Sequence, residues 1–135
     1  MSVESGVFAL LSADEDLALV VGVTAEELPG RILRAGAAKD IPAPCLVIRW
    51  EMPTLTGNLG THGFTLRAHD RDESYDRITA MLERAKAVLT AVVHQQGITQ
   101  VDWRGRSPDL VDDGYETLTK YDTYVVAAGL ATRGE

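Results

Sequence analysis

The run Cys45-Leu46-Val47-Ile48-Arg49-Trp50 constrains this chain more than any other segment. It is apolar at nearly every position instead of alternating, a pattern that belongs to a strand covered on both faces. Phe64-Thr65-Leu66-Arg67-Ala68-His69 alternates cleanly, with Phe64, Leu66 and Ala68 on one side, and reads as its antiparallel partner. Residues 53–63 between them are rich in Gly and Thr and read as a long loop standing away from the core. Leu55 and Leu59 have no evident reason to occupy an exposed tip, so they are candidates for contact with another molecule.

Helical spacing appears on either side of this hairpin. Val3, Val7, Leu10 and Leu11 predict a first helix. Ser12-Ala13-Asp14-Glu15 reads as a capping box opening a second short helix that stops near Gly22. Pro29-Gly30 breaks the chain, residues 31–34 suit a short strand, and Ala35 to Pro44 reads as loop. Tyr75, Ile78, Leu82, Ala85, Leu89, Val92 and Val93 predict a long helix over 72–96, capped by Asp70 or Asp72 and ended by Gly97. Val101 and Trp103 mark a strand, 105–116 a polar loop, and 118–128 a long final strand. The expectation is one α+β domain over 1–135: a mostly antiparallel sheet of four to five strands, with the long helix and the short N-terminal helices on one face. Three helices cannot cover both faces, so apolar sheet surface should remain for a second subunit.

The 135 residues include 20 acidic and 13 basic side chains, a net charge of −7. That balance argues against a protein that coats nucleic acid. One cysteine, Cys45, excludes an internal disulfide and fits a reducing cytosol. No apolar run is long enough for a membrane span, and the N-terminus lacks a signal-peptide pattern. The charge is uneven. Residues 1–30 hold Glu4, Asp14, Glu15, Asp16, Glu26 and Glu27 with no Lys or Arg, whereas 31–71 are net basic. Patches of this kind read either as ordinary solvated faces or as the two faces of a subunit that meets unlike partners.

Chemistry-bearing motifs are absent from the sequence. There is no phosphate-cradling Gly-rich loop and no nucleophile elbow. His62, His69 and His94 lack metal-ligand spacing. Cys45 reads as a small core residue, Asp70-Arg71-Asp72 as capping, and Asp112-Asp113-Gly114 as a turn. Trp103-Arg104-Gly105-Arg106 could stack on nucleic acid, but on an acidic chain an edge or interface role reads better. No catalytic, cofactor-binding or metal-binding residue is expected.

Several segments do resemble a known family. Leu10 to Gly22 followed by Gly30-Arg31-Ile32-Leu33, Pro44 to Glu51, Phe64 to Asp70 with the Tyr75–Val93 helix, Gln100 to Pro108, and Thr119 to Gly129 look like the tail terminator (tail completion) proteins of long-tailed bacteriophages. The likeness is strongest to those of actinobacterial siphophages, and the chain departs from them in a longer segment between Gly22 and Arg31. It implies a structural virion protein at the head-proximal end of the tail, assembled in the host cytoplasm. Such proteins form a ring, usually a hexamer, that ends growth of the major tail tube protein and offers a joining surface to the head connector or stopper. Genomic DNA passes through the lumen without specific binding, so acidic side chains should outnumber basic ones there. The interface candidates are Arg31 and Arg34, Leu55 and Leu59, Trp103, and Leu110 and Tyr115 in the Ser107–Tyr115 loop. The alternatives are another neck protein, or a small ferredoxin-like enzyme or regulatory domain.

Overall fold

The structure, a computed structural model, describes residues 3–36, 40–51, 54–56 and 59–128, and of 54–56, 59, 60 and 128 the backbone alone. Among the described residues three α-helices, one 3₁₀ turn and seven strands follow in the order α1 (Val3–Ser12), α2 (Glu15–Val21), the 3₁₀ turn (Leu28–Arg31), β1 (Ile32–Arg34), β2 (Cys45–Trp50), β3 (Thr54–Thr56), β4 (Leu59–Asp70), α3 (Asp76–Thr90), β5 (Ile98–Arg106), β6 (Leu110–Asp112) and β7 (Thr117–Ala128). The strands make one sheet with the order β1-β2-β4-β7-β5; β3 pairs with β4, and β6 with β7. The sheet is mixed. β1 runs parallel to β2, with Ile32 opposite Leu46, while the other ladders are antiparallel.

The helices cover one face of the sheet. Leu46 and Ile48 of β2, Phe64, Leu66 and Ala68 of β4, and Tyr124 and Val126 of β7 point into them and are buried. Val7 and Leu11 of α1, Leu17, Ala18 and Val21 of α2, and Ile78, Met81, Leu82, Ala85 and Leu89 of α3 pack onto them in the same core. Each large side chain so buried contributes about 1.5–3 kcal/mol. Phe64 lies between Trp50 and Tyr124, at 4.7 and 5.1 Å between ring centroids, so an aromatic row crosses the sheet under the helices.

The two-sided burial expected of 45–50 is met only at its start. Cys45 is buried on the far face, Val47 is half-buried and Arg49 is exposed. Among the described residues no helix covers that far face, and its polar members include Arg49, Thr61, Thr65, Arg67, Asp102, Tyr121 and Thr123. The uncovered surface is therefore more polar than the sequence pattern implied.

Local signals were also reassigned. Asp14, not Ser12, caps α2: its carboxylate accepts from the Leu17 amide at 2.8 Å, because it is the stronger acceptor and is also held by Arg84. The reciprocal capping box lies at Thr24 and Glu27 instead, at 2.9 and 3.2 Å, and leads into the 3₁₀ turn that contains Arg31. α3 is 15 residues long and shorter than 72–96. Asp72 and Ser74 spend their side chains on the turn before it, bonding the amides of Glu73 and Asp76. The helix ends before His94 and Gln96, whose φ angles of 51° and 52° reverse the chain into β5 with Gly97 at 77°. Neither Asp70 nor Asp72 is its cap, which is Tyr75 with no side-chain bond. Part of the expected 53–63 loop is β3 and the first residues of β4, and part of the 105–116 loop is the end of β5 and β6.

Candidate functional site

The uncovered face holds a basin of about 470 Å³. Its position follows from register. Val47 faces Arg67, which faces Tyr121; Arg49 faces Thr65, which faces Thr123; Cys45 faces His69, which faces Thr119. Leu33 and Val47 give an apolar floor, and Arg49 and Arg67 stand diagonally across one strand pair. Arg67 lies over the Tyr121 ring, 4.7 Å from its centroid, and reaches Thr119 Oγ1 at 3.5 Å. Among the described residues Arg49 has no carboxylate partner. Among the described residues Asp112 is the acidic member of the lining, and its Oδ1 already accepts from the Tyr115 amide at 3.0 Å.

His69 and Cys45 are cross-strand neighbours at the closed end of this face, yet neither is set up for catalysis. His69 Nδ1 and Thr117 Oγ1 are 2.8 Å apart, and the Tyr115 ring meets the imidazole edge-on at 5.7 Å. Burial pulls the His69 pKa down to about 4, so the ring is neutral at pH 7. Burial also pushes the Cys45 thiol up to about 12, which keeps it protonated and a poor nucleophile. No group of three or more candidate metal ligands occurs among the described residues.

The structure scatters most of the residues singled out from sequence. Arg31 is a latch: its Nη1 donates to the Pro42 and Pro44 carbonyls, both at 3.1 Å, and so holds the loop before β2. Arg34 closes β1 at the rim of the basin and pairs with Glu4 of α1 at 3.1 Å. Tyr115 is a basin wall whose carbonyl accepts from Arg71 at 3.3 Å. Leu110 lies on β6, its carbonyl accepting from the Tyr75 hydroxyl at 2.8 Å. Trp103 sits on the helix side, with Lys86 Nζ 3.8 Å above its ring, and it packs against the core. In the β3–β4 ladder Leu55 pairs through its backbone with Gly60 and Leu59 with Thr56, and the side chains of both leucines lie outside what is described. The basin thus unites Arg34 and Tyr115 alone. Sequence reasoning missed Arg49, Arg67 and Tyr121, although the alternation of 64–69 put Arg67 opposite the apolar side.

The fold can be compared with known structures. A chain of the solved virion of a native gene transfer agent particle is similar over 94% of this chain and 94% of its own length, with a TM-score of 0.67 at 14% identity. At that identity the likeness establishes the shared α+β fold. No protein-family model matches the sequence, and no curated protein matches it.

Proposed function

We propose that this chain is a structural virion protein of a tailed phage or phage-like particle, and within that class a tail terminator. The observation that carries the proposal is the fold-long likeness to a virion chain, which leaves little of either chain unmatched. The finer assignment rests on the segments that resemble terminators, which in this fold fall on α1–α2, β2, β4–α3, β5 and β7. Three of the buried or half-buried ionisable groups are engaged in structural contacts: Asp14 in a cap, Asp122 in a pair with Arg106, and His69 against Thr117.

On this reading six copies close a ring on the tail tube, stop its growth and present the opposite face to the head connector. DNA crosses a lumen in which acidic side chains outnumber basic ones, because phosphate contacts would retard it. Deleting the gene and imaging the particles tests the role. Tubes of uncontrolled length, unattached to heads, are expected. Normal tails with leaking heads would assign the protein to the connector instead, and normal particles would remove it from the virion pathway.

A further inference from the structure

We propose that the uncovered sheet face is where a second copy of this chain docks the outer surface of its α2, with carboxylates of Glu15 and Asp16 meeting Arg49 and Arg67. The inference rests on the ring reading above and names the contact within it.

Arg49 is exposed and without a carboxylate partner among the described residues, diagonal to Arg67 on the same face. Two like charges so placed repel, and an incoming carboxylate relieves them. The Tyr121 ring holds the Arg67 guanidinium in place, so little ordering is required when a partner arrives. Between and beside the arginines the floor is apolar, formed by Leu33 and Val47.

The helix layer of the same chain offers the complement. Glu15 and Asp16 are exposed in the first turn of α2, and Leu19, four and three positions on, shares their side of the helix and is 76% exposed. Arg84 takes Asp14 bidentately at 2.8 and 2.9 Å and lies 3.6 Å from Asp16, while Glu15 has no cationic partner among the described residues. A large apolar side chain flanked by acids matches an apolar floor flanked by arginines in both charge and hydrophobicity. The two surfaces lie on opposite layers of the subunit. Their contact is therefore heterologous, the kind that closes a ring when the rotation per copy allows. It would also supply the sheet with the second cover that its own three helices cannot provide.

Sedimentation of the purified full-length chain tests this, with circular dichroism and melting to verify folding. Wild type is expected to assemble. Arg49→Glu, exposed and remote from the core, and Leu19→Asp should each weaken self-association at least tenfold while melting normally. Arg49→Glu with Arg67→Glu should abolish it, as should Glu15→Lys with Asp16→Lys, and combining all four should restore it. Raising the salt concentration should weaken the wild-type assembly. A wild-type ring that all these variants leave intact overturns this contact and spares the ring reading. A wild-type chain that stays monomeric overturns both. Normal tails after gene deletion, with assembly still sensitive at Arg49, would remove the terminator role and keep the contact.

Discussion

Arg106 grips both carboxylate oxygens of Asp122, at 2.7 and 2.9 Å, where Asp122 is completely buried. The pair ties β5 to β7 on the helix side of the sheet, and Glu83 of α3 takes the remaining face of the guanidinium. The hydrogen bonds that Arg106 donates to Asp122 and then to Glu83 raise its pKa, so the cation is permanent.

Removing one partner should therefore cost far more than removing both. Asp122→Ala leaves Arg106 charged and largely enclosed, and should destabilise the fold by about 3–5 kcal/mol in urea titrations. Asp122→Leu combined with Arg106→Met should recover most of that loss. A double variant as unstable as the single one would contradict this account.

His69 predicts a limb in the pH profile of stability. Its folded pKa of about 4 lies below the ordinary value of 6.5, so between those values the unfolded chain binds the extra proton. Stability is full above pH 6.5 and falls by up to about 3 kcal/mol as the pH drops to 4, with no further loss from this group below that. His69→Gln should flatten this limb. Below pH 4 a separate fall should persist, because the hydrogen bond from Arg84 lowers the Asp14 pKa and that stabilisation disappears as Asp14 protonates.

Gly6 should resist the usual helix-strengthening change. Alanine normally favours a helix interior by about 1 kcal/mol over glycine. Here a Cβ would stand 2.5 Å from the Gln96 carbonyl oxygen, a backbone atom in the reversal before β5. Gly6→Ala should lower the melting temperature by several degrees, and a rise would show that the α1 contact with this reversal is loose.

Cys45 should label slowly. Its thiol is buried and protonated at neutral pH, so a disulfide reagent should react with the native chain orders of magnitude more slowly than with the urea-unfolded chain. Rapid native labelling would mean that the β1–β2 edge opens readily.

The elements were legible in sequence where periodicity was long: the 3-4 spacing from Ile78 to Leu89, and the alternation of Phe64, Leu66 and Ala68. Termini were less so, because the caps depend on competition between neighbours. Ser12 and Asp14 both satisfy a local rule, and only the distant Arg84 decides between them. The parallel direction of β1 was not legible, since three residues carry no signal of their partner's direction. The basin was hidden for a related reason. Arg49, Arg67 and Tyr121 come from three strands that lie side by side only after the register is set, and Arg49 sat within a run whose apolar neighbours made it look incidental.

The two borders of the sheet carry a final consequence. One border strand, Ile32–Arg34, is three residues long, and the other, Ile98–Arg106, is broken by register shifts near Ile98 and Trp103. Short and bulged borders make poor templates for adding further strands. Copies concentrated in one place are thereby steered away from open-ended ribbons and toward contacts made by side chains, whose number a closed assembly can limit.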